Sequence, residues 1–259
     1  MFGKRRFFLG TLLLMIFALG MAASAAETDL EKLFSTPLPD KNIAYMSLTF
    51  SGVIVRTQEG TILIDPANLL AETDIAVLKK HGIQAVLYTH GHGDHFAAGT
   101  ARRLALETGA TIVADPAVAA ALQKAGGIAP DKLIAAQAGQ SVKTGGFTIQ
   151  PITGKHIGPI TLFHVQSGSV SFFHGGDSAY VPLGKFKADL AFLPTGAPSP
   201  TASPVAALQM ALDVRPQAVV LMHGSDAQNA EFSKKAKAGL PGAAIENPDP
   251  FKFYILALR

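Results

Sequence analysis

The chain contains no cysteine. That excludes disulfides and leaves any metal to nitrogen and oxygen ligands alone. Charge is also scarce: Asp, Glu, Lys and Arg make up 16% of the 259 residues, against 48% hydrophobic ones. So apolar a chain is not disordered, and at this length it suits one medium-sized domain with a large core. Of the 22 Lys and Arg, three (Lys4, Arg5 and Arg6) lie at the very start, and no basic run appears later. Without those three, 19 basic residues face 19 acidic ones, so the remainder is formally neutral and nucleic acid is not an expected partner. No short-period repeat, low-complexity tract or linker stands out. The proline-rich "PTGAPSPTASP" (194–204) reads as a shaped loop between a strand and a helix.

What is present begins with a leader. "MFGKRRFFLGTLLLMIFALGMAASAAE" has a basic start, an apolar run over 7–19 and small residues up to Ala26. This pattern predicts a signal peptide over 1–26, cut after Ala25 or Ala26, with the working domain at 27–259. The run is short for a membrane span, although an uncut anchor is the alternative. Arg5-Arg6-Phe7-Phe8-Leu9 also resembles a twin-arginine export motif, as an alternative to a plain basic n-region. Either route predicts an exported protein, periplasmic or secreted, with no stable membrane insertion once the leader is removed.

Beyond a polar lead-in at 27–41, where Pro37 and Pro39 prevent a long helix, the pattern is mixed α/β. "MSLTFSGVIVRTQEGTILIDP" reads as two or three strands. Helices are expected at 72–80, 96–107 and 116–124, with strands at "QAVLYTH" and 111–114 between them. The middle turns β-rich again in "FTIQPIT", "ITLFHV" and "VSFFHGGD". Strand and helix then alternate through "ADLAFLP", 205–212, "QAVVLMHG", 227–238 and a last strand "FKFYILAL". β-rich and β/α sections each occur twice. That predicts two similar halves, each a sheet with helices outside it, packed sheet to sheet.

The densest chemistry lies in "LYTHGHGDHFAAG" (87–99), directly after an apolar strand. Imidazole is the commonest metal ligand, and a neighbouring carboxylate suits zinc, iron or manganese. Alternate residues project differently, so His90 and His92 are candidates for one cation while Asp94 and His95 face a second. Gly91 and Gly93 are expected to let the chain turn sharply. Asp177, after Gly175 and Gly176, and His223, before Gly224, also end strands. Ligand-type residues at three strand ends point to one site at the carboxyl edge of the sheets.

"THGHGDH" resembles the H-x-H-x-D-H signature of the metallo-β-lactamase superfamily, and "TILIDP", "HGGDS" and the late His follow in the family's order. Within it, residues 193–225 look like the small metal-dependent hydrolases related to ascorbate-phosphate lactonase. The resemblance spans essentially all of 27–259 and implies a four-layered αββα sandwich. It implies His90, His92 and a later His on one metal, Asp94, His95 and His223 on the other, and Asp177 between them. Asp65 would orient a ligand, with a plain strand-end turn before Pro66 as the alternative. For the later His, His156 lies in the loop "TGKHIGP", whereas His164 sits mid-strand among apolar residues and reads as core. His156 is therefore the expected ligand. His174 is expected to support the site, and His81 to cap a helix ending at Gly82.

The implied activity is hydrolysis of a small ester, lactone or amide at two divalent cations, zinc first, with manganese or iron as alternatives. Asp94 and Asp177 are the expected catalytic carboxylates, because paired cations make hydroxide available near neutral pH. Without cysteine, the ligand set departs from many zinc β-lactamases and matches the hydrolase and lactonase branches. A phosphodiesterase or phospholipase-like activity, a mononuclear iron redox role and a non-catalytic exported metal-binding protein are the competing readings.

Overall fold

A computed structural model describes residues 27–259; the leader expected over 1–26 lies outside the described residues. Two seven-stranded sheets pack face to face. The first is built from β1 (Asn42–Ser47), β2 (Val53–Thr57), β3 (Gly60–Ile64), β4 (Ala85–Tyr88), β5 (Thr111–Ala114) and β6 (Leu133–Ala135), joined by the last strand, β14 (Phe253–Ala257). The second contains β7 (Val142–Thr144), β8 (Phe147–Thr153), β9 (Thr161–Ser167), β10 (Val170–His174), β11 (Leu190–Pro194), β12 (Ala218–Met222) and β13 (Ala244–Glu246).

Strand alternation explains the layering. On β2, Val53 and Val55 face the opposite sheet while Ile54 faces outward to helices; β4 divides Ala85 and Leu87 from Val86 and Tyr88 in the same way. Every one of these residues is buried, so the strands read as continuous apolar runs. Helices α1 (Asp29–Ser35), α2 (Glu72–His81), α3 (Ala98–Thr108) and α4 (Pro116–Ala125) accompany the first sheet. Helices α5 (Pro204–Val214) and α6 (Asp226–Gly239) cover the second. The architecture is thus the αββα sandwich that the repeated pattern implied.

Local details depart from the sequence reading. The lead-in contains a real helix, because Thr28 and Glu31 form a reciprocal cap and Leu30 and Leu33 are buried. Its far end is pinned by Arg56, which donates to the carbonyls of Leu33 (2.7 Å) and Thr36 (2.8 Å). Helix α3 starts at Ala98 rather than Phe96, since the Phe96 N–H is drawn back to the His92 carbonyl at 2.8 Å. The final strand does not extend the second half; it pairs antiparallel with β1, Met46 opposite Phe253, and closes the first sheet's edge.

Strands β3 to β6 run parallel, as do β10 to β13, with helical crossovers in each group. Their carboxyl ends gather at one end of the sandwich, where the strand-end His and Asp residues meet.

Candidate metal centre

Two clusters form there. The outer one joins His90 and His92, from the loop after β4, to His156, from the loop between β8 and β9. The inner one joins Asp94 and His95 to Asp177, which follows β10, and His223, which follows β12. Within each group the prospective ligand atoms all lie within 4.8 Å of one another. All seven candidate ligands are brought together. His164 is not among them: its Nε2 donates to the Lys187 carbonyl at 2.6 Å, and its ring lies against Phe186.

The rings are aimed by partners whose hydrogen bonds settle the tautomers. The Thr89 hydroxyl donates to Asp65 Oδ2 (2.5 Å), so the Thr89 oxygen accepts from His90 Nδ1–H (3.0 Å) and His90 Nε2 keeps its lone pair. That Nε2 is buried without any hydrogen-bond partner. Asp65 Oδ2 also accepts from His95 Nδ1 (2.8 Å), and Asp65 Oδ1 from the Thr89 N–H (2.8 Å). Asp65 therefore orients ligand-type residues of both clusters rather than merely closing a turn. In the outer cluster, Thr201 donates to the Asp177 carbonyl (2.6 Å) and so accepts from His156 Nδ1 (2.7 Å). His156 Nε2 is left facing His92 Nδ1 at 3.2 Å.

The inner cluster packs its nitrogen and oxygen atoms closely. His95 Nε2 and His223 Nε2 lie 3.0 Å apart, and each is 3.0 Å from Asp177 Oδ1. Asp94 Oδ2 stands back at 3.7 and 3.6 Å and is partly open to solvent. Burial works against a charged His95, yet the carboxylates of Asp65 and Asp177 outweigh it and hold this ring up at about 10. Burial likewise works against Asp177 ionisation, but His95 brings its carboxyl down to about 2. Burial dominates at His90, helped by His95, and takes it down to about 3, so that imidazole is neutral. The unpaired His90 Nε2 and the convergence of two imidazoles on a buried carboxylate are what a divalent cation satisfies. The donor set fits metal.

Backbone conformation brings the ligands close. Asp65, Gly176 and His223 adopt left-handed φ values of 47°, 52° and 38°. A Cβ on Gly176 would press within 3.1 Å of Ile160 and 3.3 Å of Thr89, and one on Gly224 would collide with Thr195. Gly91 and Gly93, expected to be the steric key, are not: neither has positive φ, and a Cβ on either meets nothing closer than 3.8 Å. The turn is made instead by the His95 and Phe96 N–H groups, both donating to the His92 carbonyl. His174 supports the site, its Nε2 donating to the Ser51 carbonyl (2.9 Å) and its Nδ1 accepting from Gly176 N–H (3.2 Å). His81 stacks on Phe34 at 4.5 Å, just before the C-cap glycine.

Sequence reasoning missed Thr89, Thr201 and the β1–β2 turn. Ser51 of that turn donates to Asp177 Oδ1 at 3.4 Å, and the Phe50 ring lies 5.6 Å from that of His223. Thr89 was findable as the hydroxyl beside the first His; nothing in the chain marked Thr201.

The model of the beta-lactamase superfamily domain matches residues 60–224, which hold every candidate ligand. The chain belongs to the beta-lactamase superfamily. No curated protein sequence matches it. Its fold is similar to that of a metallo hydrolase from the archaeon Ignicoccus hospitalis (TM-score 0.68, 22% identity, covering 83% of this chain and 98% of that one). It is similar to the metallo-beta-lactamase fold protein YhfI from Bacillus subtilis (0.63, 18%, 83% and 99%). It also resembles CmlA, a diiron beta-hydroxylase from Streptomyces venezuelae (0.65, 14%, 86% of this chain and 55% of that one). The superfamily member described here has the metallo-β-lactamase fold, with two candidate ligand clusters at one end of it.

Proposed function

We propose that the protein is an exported hydrolase of a small ester, lactone or amide that works with two divalent cations, zinc in the first place. His90, His92 and His156 would hold one cation, and Asp94, His95 and His223 the other, with Asp177 between them. The observation that carries this reading is the convergence of the second half's His156, Asp177 and His223 on the first half's loop, His rings aimed by Asp65, Thr89 and Thr201. Bound there, the cations would supply an acidified water and polarise the oxygen under attack.

The chain's own groups do the rest. Asp94, the partly open carboxylate beside His95 and His223, would orient the attacking water and take its proton. Asp177 is almost fully enclosed and stays ionised, so it supplies fixed negative charge. Its main-chain carbonyl is held by Ser199 (2.9 Å) and Thr201 (2.6 Å), which ties its position to His156.

Elemental analysis of the purified protein, followed by a panel of lactones, esters, amides and phosphodiesters, tests the reading. About two zinc per chain and chelator-sensitive cleavage of a carboxylic ester, lactone or amide are expected. Iron in place of zinc, turnover confined to phosphodiesters, or full activity after thorough chelation would each overturn it.

A further inference from the structure

A groove leads away from the outer ligand cluster. Its first section, a cleft of about 700 Å3, lies against His156, between the start of α4 and the loop joining β8 to β9. A second cleft, of about 490 Å3, adjoins it along β8, and the two share Ala138 and Thr153 in their walls. The groove therefore begins at a candidate metal ligand and reaches Lys185, in the loop before β11.

The two sections differ in chemistry. Pro116, Ala117, Ala136, Ala138, Pro159 and Ile160 give the first one walls that are mostly small and apolar. Asp115 also lines it, but its carboxylate is already committed. Its Oδ1 accepts from the Ala117 N–H (2.9 Å) and its Oδ2 from the Thr161 hydroxyl (2.9 Å). The second section is polar, with Gln140, Ser141 and Gln150 beside Lys185, whose ammonium lies 5.1 Å from the centre of the Phe186 ring.

The free charge of the groove is all positive. Lys155 stands at the near end, next to His156, and Lys185 at the far end; both are exposed. Among the described residues neither forms an ion pair, and the buried Asp115 is the sole carboxylate in either wall. An apolar passage that ends at an unpaired ammonium suits a ligand with an apolar arm and an anionic tip. From Thr153 to Gln150 the strand advances about 10 Å, so a short acyl group does not cover the distance.

We infer that the substrate carries an apolar arm ending in a carboxylate, with the arm against Ala117, Ala136 and Ala138 and the carboxylate at Lys185. The inference rests on the hydrolase reading for the bond that is cut, and adds the class of acyl group attached to it. Lys185 is thus a specificity-determining residue that takes no part in the cleavage itself.

Matched para-nitrophenyl esters test it: the monoester of suberate against the ester of octanoate, an arm of equal length without the second carboxylate. Water cleaves the first to para-nitrophenol and suberate. On the purified protein supplied with zinc, kcat/KM for the suberate monoester should exceed that for the octanoate ester by roughly three- to fivefold, the size of one partly exposed ion pair. Lys185→Gln should abolish that preference and Lys185→Arg should keep it. Lys234→Gln, which removes an exposed charge on α6, should leave it as it is. Ala138→Phe, where the two clefts meet, should lower the rate on the suberate monoester relative to the succinate monoester. Calorimetric titration with free suberate and free octanoate makes the same comparison without turnover. No preference for suberate in either measurement, a preference that survives Lys185→Gln, or one lost equally in Lys234→Gln overturns the inference. Esters cleaved without discrimination leave the hydrolase reading standing, whereas suberate bound through Lys185 with no ester cleaved removes that reading alone.

Discussion

The two ligand clusters differ in how they are built. The outer one is three imidazoles, with His92 exposed, His156 half-buried and no carboxylate among them. The inner one combines two imidazoles with two carboxylates, and three of its four members are buried. Fixed negative charge in a low-dielectric place attracts a cation far more strongly than neutral nitrogen near water. The difference teaches that Asp177, between the two sets, matters most to the weaker one: it is the carboxylate closest to relieving repulsion between two neighbouring cations. The outer cation should be the labile one.

The largest effect should follow Asp177→Ala. Without the shared negative charge one cation is lost first, and kcat should fall by roughly 1000-fold or more while KM moves little. Metal content measured beside steady-state rates checks this, and unchanged turnover would remove Asp177 from the mechanism. Next comes His156→Ala, which should take stoichiometry from about two to about one and abolish hydrolysis in a folded protein. His164→Ala is the contrasting variant. It should keep both metals and cost about 1–3 kcal/mol in denaturant unfolding, through the lost bond to Lys187 and lost packing.

A smaller effect is expected at Thr201→Val, which removes the acceptor that aims His156 and the donor to the Asp177 carbonyl while leaving every ligand residue in place. Metal affinity at the outer cluster should weaken by about 10–100-fold, with the inner cation retained. Competition with a graded chelator resolves the two steps, and an unaltered titration would separate Thr201 from the site.

The smallest effects involve His164 titration and the loop glycines. Burial lowers the His164 pKa, although its bond to the Lys187 carbonyl and the charge of Asp189 act the other way. The unfolded chain thus takes up the proton first. The contribution is intact above about pH 6.5 and is lost as pH falls below it, by at most about 1.4 kcal/mol per pH unit. His164→Gln should flatten that part of the stability curve. Gly93→Ala should be nearly neutral, within about 0.5 kcal/mol, whereas Gly224→Ala should damage the site, since only the latter Cβ meets an occupied position.

Legibility followed distance along the chain. The strands flanking the motif, β4 and β5, were readable because their apolar runs are bounded by turn residues, and "THGHGDH" was readable because all its members share one loop. The helix inside the lead-in was obscured by Pro37 and Pro39, which end it without preventing its first turns. The three-residue strands β6, β7 and β13 are too short to show any period.

By itself, the sequence determined the α/β alternation, the absence of sulfur ligands and the run of His and Asp after β4. These depend on residue type and local spacing, which a chain carries before it folds. Only the tertiary structure decided that the second half's His156, Asp177 and His223 close on the loop after β4, that Thr201 aims His156, and that β14 returns to the first sheet. Those facts depend on which strand ends point the same way once two sheets have buried their inner faces against each other, and no local window of sequence contains that information.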